Sequence, residues 1–250
     1  MRVLIVANAD IGLYKFRKEL LEELVKENEV YIALPKGDFY EELLAIGCNY
    51  IVTALNRHGT NPIEELKVVS LYKNIIKKIK PDIVFTYTIK PNVYAGMACA
   101  SLNVPYVANV TGLGMAVENP GFMQFITVNL YKYAFRKAKK VFFQNSENLN
   151  FMLQRGIVRG AYDILPGSGV NLDNYKVSEY PNGETVDFVF VARIMKEKGI
   201  DQYLDAAKEI KKRHPETRFH ICGFCEQAYE DKLNMLVKDN IIIYHGLVKD

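Results

Sequence analysis

Short apolar runs alternate with longer amphipathic stretches along most of this 250-residue chain. The apolar runs that predict buried strands lie near residues 3–7, 30–34, 50–53, 83–86, 106–109, 140–144 and 162–165. Between them, apolar positions recur three or four residues apart, which predicts helices. Because short apolar strands joined by crossover helices form parallel sheets that are covered on both faces, residues 1–170 are expected to fold as one doubly wound α/β domain.

The alternation stops over residues 171–184, where Asn, Asp, Ser, Gly and Pro are frequent. We interpret this segment as a linker between domains. The alternation restarts near residue 186. It predicts three further strands, over residues 186–192, 218–222 and 241–244, and two helices, over residues 200–213 and 226–237. Such domains usually run to about 100–150 residues, so residues 185–250 are expected to form only part of a second Rossmann-like domain. We expect either a truncated chain or a partner chain that supplies the rest.

Composition narrows the class of protein. Hydrophobic residues make up 49% and charged residues 24% of the chain, and the net charge is +3, as in an ordinary soluble globular protein. This charge is too small to favour a nucleic-acid partner. No stretch approaches the roughly 20 apolar residues of a membrane span. Among the four cysteines, Cys222 and Cys225 form a single CxxC, which favours free thiols in a reducing cytoplasm over a metal site.

Ligands of open parallel sheets bind at the carboxyl ends of the strands, so the loops after strands are the places to look for chemistry. The first such loop contains Asn8 and Gly12, and Arg17 follows in the next helix. Gly12 would allow a substrate to approach the backbone. The loop lacks the GxGxxG pattern, which disfavours a nicotinamide dinucleotide. Arg17 is interpreted either as a phosphate contact or as an ordinary surface arginine.

Three later loops carry similar candidates. Arg57 and His58 follow the third strand and are interpreted either as an anion contact or as surface residues. Lys90 and Asn92 follow the fourth strand. Since Pro91 fits the first turn of a helix, Lys90 would lie at the positive end of that helix and favour an anion or a sugar. Thr111 and Gly112 follow the fifth strand, where they indicate either close ligand approach or a plain tight turn.

The strongest candidate lies in the second domain. The predicted strand over residues 186–192 ends at Arg193, a basic turn with Lys198 and Gly199 follows, and an amphipathic helix begins near Ile200. A strand-to-helix junction directs backbone N–H groups and a positive helix end at one place. Flanked by Arg193 and Lys198, that place suits a diphosphate. Gly169, where the chain leaves the first domain, is interpreted as a hinge or as a ligand contact.

The predicted helix over residues 122–138 combines aromatic and basic side chains. Such a composition can dock on anionic lipid headgroups. The alternative is a helix of the core with a solvated basic end, and this alternative is preferred from the sequence.

Four segments together resemble a known family: TIKPN (residues 88–92), VTGLG (residues 110–114), GSGVN (residues 167–171) and ARIMKEKGID (residues 192–201). The chain resembles the retaining family 4 glycosyltransferases of the GT-B fold. More narrowly, it is similar to the bacterial branch that builds capsular, O-antigen and glycoprotein glycans on lipid carriers.

The resemblance implies a hexosyltransferase. The first domain would bind the acceptor, a glycan on polyprenyl diphosphate, through Asn8, Gly12, Arg17, Arg57, His58, Lys90 and Asn92. The second would bind a nucleotide-diphospho-sugar, with UDP as the expected nucleotide. Arg193 and Lys198 would hold the diphosphate and stabilise the departing nucleotide, so that no metal or other cofactor is expected. The other expected donor contacts are Gly199, Gly169, Thr111 and Gly112.

The resemblance has two departures. Many family members have a histidine near the turn where this chain has Thr111, so no general base is assigned. The family's E-x7-E element, which grips the donor, would follow the region where the sequence ends, so little activity is expected of the chain alone. Two alternatives stay open: an acceptor- or membrane-docking half of a split transferase, and a sugar-nucleotide epimerase of the same fold. The expected location is the cytoplasm, peripheral to the inner face of the membrane.

Overall fold

The computed structural model describes residues 1–54, 62–114, 117, 121–180, 183, 185–225 and 227–248, with the backbone alone at 62–64 and 227. The chain divides into two compact units, Met1–Tyr175 and Lys176–Asp250. Each unit has its own parallel sheet.

The first unit contains a seven-stranded sheet in the order β3-β2-β1-β4-β5-β6-β7. Its strands are β1 (Arg2–Val6), β2 (Glu29–Leu34), β3 (Asn49–Val52), β4 (Ile83–Tyr87), β5 (Tyr106–Val110), β6 (Lys140–Phe143) and β7 (Tyr162–Ile164). All neighbouring pairs are parallel.

Helices connect these strands. They are α1 (Asp10–Glu27), α2 (Tyr40–Ala45), α3 (Pro62–Ile79), α4 (Gly96–Leu102), α5 (Phe122–Phe135) and α6 (Ser146–Gln154). A π-helical turn, Pro91–Ala95, precedes α4. The sequence predicts an α-helix from about residue 93, and the structure replaces its first turn with this wider one.

The sheet of the first unit is buried on both faces because successive side chains of a strand point to opposite sides. On β1, Leu4 and Val6 pack in a cluster with Tyr72 of α3. Val3 and Ile5, which alternate with them, pack in another cluster that includes Leu21 of α1. The apolar runs therefore lie in the interior, as the predicted doubly wound arrangement requires.

The second unit contains a three-stranded sheet in the order β10-β9-β8, formed by β8 (Asp187–Val191), β9 (Arg218–Cys222) and β10 (Ile243–Gly246). A 3-10 turn (Lys196–Lys198) leads into α7 (Ile200–Arg213), and α8 (Gln227–Lys238) joins β9 to β10. Buried side chains of both helices pack with those of β9 in one apolar cluster: Ile200, Leu204, Ala207, Phe219, Ile221, Leu233 and Leu236.

The described residues thus form ten strands, and each lies within two residues of a strand predicted from the apolar pattern. The helices of the second unit also lie where the pattern predicts them, with α7 over the expected residues.

Candidate functional site

A cavity of about 410 Å³ opens at the carboxyl edge of the first sheet. The strand order reverses between β1 and β4, and ligands of open parallel sheets bind outside the strand ends at such a reversal. Most of the cavity wall is apolar, with Leu13, Phe16 and Tyr87 among its members. Six polar or charged side chains also line it: Asn8, Arg17, Thr88, Thr111, Gln144 and Ser168.

Arg17 supplies the positive charge in this cavity. Its guanidinium carbon lies 5.3 Å from the centre of the Tyr87 ring, within the range of a cation–π contact. One of its N–H groups donates to the carbonyl oxygen of Phe16 at 2.6 Å. Among the described residues, no carboxylate pairs with it. Burial raises the pKa of the Tyr87 phenol, and the neighbouring guanidinium offsets part of that rise.

The turn between β1 and α1 is held in place by Asp10, which the sequence reading missed. Its side chain is buried. One carboxylate oxygen accepts from the backbone N–H of Ile11 at 2.8 Å, and the other accepts from that of Phe39 at 2.7 Å. Asp10 therefore ties the first turn of α1 to the loop after β2. This fixes the backbone that presents Asn8 and Gly12 to the cavity.

The sequence predicts that some residues contact the acceptor and that others contact the donor. The structure places members of both groups in the wall of one cavity. Asn8, Gly12 and Arg17, expected on the acceptor side, line the same cavity as Thr111, expected on the donor side. Gly112 follows Thr111 directly, and a side chain there would meet no atom within 4 Å.

The Gly169 backbone, next to the lining residue Ser168, is left-handed with a φ of 76°. A side chain at Gly169 would meet no described atom within 4 Å, and its role as a hinge or as a ligand contact stays a prediction.

Lys90 is half-buried and its charge is paired. Its ammonium lies 2.6 Å from a carboxylate oxygen of Glu65 in α3, and both side chains are about 15% exposed or less. A cation that already has a carboxylate partner attracts an anionic ligand less strongly than Arg17 does. Lys90 also lies outside the cavity wall.

Asn92 lies in the core and not at a binding surface, since only 1% of the side chain is exposed. Its amide oxygen accepts from the Thr86 hydroxyl at 2.7 Å, and its amide nitrogen donates to the Asn109 carbonyl at 2.9 Å. Asn92 was predicted as an acceptor contact. In the structure it is instead a buried structural link between the ends of β4 and β5. Arg57 and His58, the two other residues predicted as acceptor contacts, lie outside the described residues.

Three of the six polar or charged lining side chains were not predicted as site residues: Thr88, Gln144 and Ser168. Gln144 and Ser168 follow β6 and β7, and the Gln144 amide donates to the Ser168 hydroxyl at 3.4 Å. The rule of inspecting loops after strands would have found both. Thr88 follows β4 with a φ of 72°, which is a rare conformation for a β-branched residue. Its hydroxyl donates to the carbonyl of Tyr87. No sequence pattern would have indicated that conformation.

In the second unit, Arg193 and Lys198 are exposed at the carboxyl end of β8. The turn is closed by backbone hydrogen bonds from Lys198 N–H to Met195 and from Gly199 N–H to Lys196, both 3.0 Å. Gly199 has a φ of 80° and provides no side-chain cap for α7, so the first N–H groups of this helix are not capped by a side chain. Neither Arg193 nor Lys198 pairs with a carboxylate of the described residues.

Two contacts hold this turn in shape. Asp201, in the first turn of α7, accepts from Lys232 at 2.6 Å and from the Tyr229 hydroxyl at 3.0 Å. The pKa of Asp201 is lowered from its ordinary value, and the hydrogen bond from Lys232 is the largest cause. Gly223, after β9, has a φ of 152°, and a Cβ there would lie 1.9 Å from the carbonyl oxygen of Ala192. The ends of β8 and β9 therefore approach closely just before Arg193.

The described cysteines are free, and three of the four are buried while Cys222 is half-buried. Burial raises the pKa of Cys48 to about 11 and that of Cys99 to about 12. Across the described ranges, no cluster of three His, Cys, Asp or Glu residues has the arrangement of a metal site. No helix within those ranges has the length and apolar content to cross a membrane.

Comparison with known proteins gives matches along both units. Residues 2–145 match the family described as Glycosyl transferase 4-like, and residues 173–246 match Glycosyl transferases group 1. A curated relative from Campylobacter jejuni is N,N'-diacetylbacillosaminyl-diphospho-undecaprenol alpha-1,3-N-acetylgalactosaminyltransferase, 24% identical over 229 residues. The match covers 84% of this chain and 61% of that relative, so the chain spans less than two thirds of its length.

Solved structures share the fold. HepE from Anabaena, solved with UDP-glucose, matches with a TM-score of 0.71 at 18% identity, over 100% of this chain and 70% of HepE. UDP-GlcNAc 2-epimerase from Neisseria meningitidis, solved with UDP-GlcNAc, matches with a TM-score of 0.63 at 14% identity, over 100% of this chain and 73% of the epimerase.

These likenesses confirm the predicted α/β fold of the GT-B type. The Glycosyl transferase 4-like match alone covers more than half of the 250 residues. The resemblance inferred from the four segments is thereby confirmed, and the chain belongs to the glycosyl transferase 4-like family.

Proposed function

We propose that this protein is a hexosyltransferase that moves a sugar from a nucleotide-diphospho-sugar, with UDP as the nucleotide, to a glycan on a lipid carrier. The relative from Campylobacter jejuni acts, by its name, on a diphospho-undecaprenol-linked acceptor, and HepE was solved with UDP-glucose. Both support the two substrate classes. The product would enter the assembly of a cell-surface polysaccharide.

The observation that carries the proposal is the cation pair at the end of β8. Arg193 and Lys198 are exposed, flank the start of α7 and have no carboxylate partner among the described residues. Two cationic side chains in the segment that leads into the uncapped start of a helix favour an anion with several oxygens. A nucleotide diphosphate has that form, and its leaving group gains negative charge as the sugar departs. Arg193 and Lys198 would stabilise that charge, so we propose a transfer that requires no metal ion.

The cavity of the first unit is proposed to take the diphosphate end of the acceptor. Arg17 lies there without an ion-pair partner among the described side chains. The surrounding wall, with Phe16 and Leu13, is mostly apolar, which suits the first isoprenoid carbons next to a diphosphate. Thr111, Gln144 and Ser168 add hydrogen-bonding groups that can meet sugar hydroxyls.

The test of the donor site is calorimetric titration of the chain with UDP. Replacing Arg193 by Ala is expected to weaken UDP binding about tenfold, because a hydrogen bond to a charged group contributes roughly 1.5–3 kcal/mol. Lys198→Ala is expected to have a similar effect. Excess EDTA is expected to leave the affinity unchanged.

The matched control is Lys208→Ala, which removes a lysine of α7 that lies about 12 Å along the helix axis from its first residue. Lys208 also has no ion pair with a described carboxylate. Equal affinity of the wild type, R193A and K198A chains for UDP would refute the donor site. If K208A weakens UDP binding as much as R193A does, the loss of affinity reflects the overall charge of the chain and not a specific site.

A sugar-nucleotide epimerase is the second candidate, favoured by the fold shared with the UDP-GlcNAc 2-epimerase from Neisseria meningitidis. The two reactions differ in their products. An epimerase converts one UDP-sugar into its epimer without an acceptor, which chromatography of UDP-GlcNAc after incubation would reveal. A transferase leaves the UDP-sugar unchanged until a lipid-linked acceptor is added and then releases UDP. We propose that the protein is a transferase of this kind and that it acts in the cytoplasm at the inner face of the membrane.

A further inference from the structure

Helix α5 (Phe122–Phe135) has two apolar faces, and only one of them is covered. Four of its side chains belong to the core of the first unit: Val128, Tyr131, Ala134 and Phe135. On the other side, Phe122 is 76% exposed, Phe125 is 68% exposed and Tyr133 is 49% exposed. The sequence is compatible with a core helix or a lipid-binding helix, and the structure gives α5 a core face as well as an exposed aromatic face.

The exposed side chains share one line along the helix. Residues 122, 125, 129, 133 and 136 are spaced three or four apart, which places them on one face. We call this the outer face of α5. It begins with Phe122 and Phe125, with exposed Met123 beside them, and ends with Tyr133 and Arg136. The helix is about 21 Å long, so the apolar end and the basic end are both part of one extended surface.

The charge of this region has a single sign. From residue 121 to residue 146 the sequence contains five Lys or Arg and no Asp or Glu. Lys140 is paired with Asp163 at 3.0 Å. The other four, Lys132, Arg136, Lys137 and Lys139, have no carboxylate partner among the described residues. Lys137 donates to the amide oxygen of Asn103 at 2.6 Å, which leaves its positive charge without a counter-charge. Arg136 instead lies 3.6 Å from the centre of the Tyr133 ring.

We propose that the outer face of α5 docks on an anionic lipid bilayer, with Phe122, Met123 and Phe125 inserted among the acyl chains and the four cations that lack a carboxylate partner at the headgroups. Exposed aromatic side chains beside unpaired Lys and Arg are the composition of a helix that lies in a membrane interface. Basic residues near such a surface are each attracted by anionic lipids. The inference goes beyond the proposed function, which needs a lipid-borne acceptor but assigns no surface to the bilayer.

Charge also argues against a second copy of the chain as the occupant. A twofold contact would place the same surface on both copies, so both partners would bring positive charge, and residues 121–146 contain no acidic residue to offset it. An anionic bilayer complements both the cations and the apolar end.

The test is sedimentation of the full chain with vesicles of equal parts phosphatidylglycerol and phosphatidylcholine, compared with vesicles of phosphatidylcholine alone. The wild-type chain is expected to bind the anionic vesicles and to be released by high salt. The double variant Phe122→Ser, Phe125→Ser is expected to lower the partition by at least about tenfold, because it removes two large apolar side chains from the lipid. Lys132→Ala with Arg136→Ala is expected to remove most of the preference for anionic vesicles.

The matched control is Leu20→Ser with Leu66→Ser, which removes two exposed apolar side chains from other helices. The chain has no tryptophan, so Phe125→Trp supplies a single fluorescent reporter, with Leu66→Trp as its control. The proposal is supported if anionic vesicles shift the tryptophan emission of the Phe125→Trp variant to the blue and leave that of the Leu66→Trp variant unchanged.

Three results would overturn the proposal: no binding to anionic vesicles, equal losses in the test and control variants, or a concentration-dependent dimer in solution that F122S/F125S abolishes. Circular dichroism checks that each variant is folded. None of these readouts involves nucleotide, so failure here is distinguishable from failure of the donor site.

Discussion

At the scale of single residues, the cations near the strand ends differ in what surrounds them. Lys90 is paired with Glu65, whereas Arg17 and Arg193 have no carboxylate partner among the described residues. The sequence predicts that all three lie after strands, because the apolar pattern locates the strands. It does not predict the pairing, since Glu65 lies 25 positions before Lys90 and meets it only through the packing of α3.

Arg17→Ala is expected to weaken binding of a short-chain prenyl diphosphate about tenfold, because it removes the charge of a cavity whose wall is mostly apolar. Titration of the chain with geranyl diphosphate measures this. Lys18→Ala is the control, since Lys18 is the next residue and pairs with Glu22. If R17A and K18A bind the ligand as the wild type does, the cavity does not recognise the acceptor diphosphate through Arg17.

Asn92→Ala is expected to reduce the free energy of unfolding by about 1–3 kcal/mol, because it leaves buried hydrogen-bonding groups of Thr86 and Asn109 without their partner. Urea denaturation measures the change. Asn129→Ala, at an exposed position of α5, is expected to change stability by less than about 0.5 kcal/mol. An N92A chain as stable as the wild type that has lost acceptor binding would restore the original assignment of Asn92 as a ligand contact.

At the scale of elements, strands and helices were predictable because each has its own apolar period. The local backbone at the strand ends was not. The left-handed Thr88 and the π-helical turn after it depend on contacts with distant residues, such as the bond between Asn92 and the Asn109 carbonyl. The backbone conformation of Gly223 was not predictable either, because it is set by the close approach of the end of β8.

Gly223→Ala is expected to destabilise the second unit, because the new methyl group would lie 1.9 Å from the Ala192 carbonyl oxygen. Gly246→Ala is the matched control. Gly246 also has a positive φ, of 69°, but a side chain there meets no atom within 4 Å. Backbone strain alone costs roughly 1–2 kcal/mol at such a position. G246A should therefore lose about that much free energy of unfolding, and G223A should lose more. Thermal denaturation compares them, and equal midpoints would contradict the close approach of the two strand ends.

At the scale of the whole molecule, each unit has a candidate site at the carboxyl edge of its own parallel sheet. This placement was predictable from the order of the elements, since parallel sheets bind ligands at that edge. What was not predictable is which loop residues meet. Thr111, predicted as a donor contact, lines the same cavity as Arg17, which was predicted as an acceptor contact. The grouping of loops after β1, β4, β5, β6 and β7 depends on the strand order.

The central claim is that the turn from Arg193 to Gly199 binds a nucleotide through its diphosphate. Titration of the chain with uridine, UMP and UDP at low and high salt tests this most directly. The account predicts that affinity rises with each phosphate and that the advantage of UDP shrinks as salt screens the two cations. Equal affinity for uridine and UDP at low salt would contradict the account, because no diphosphate contact would then exist.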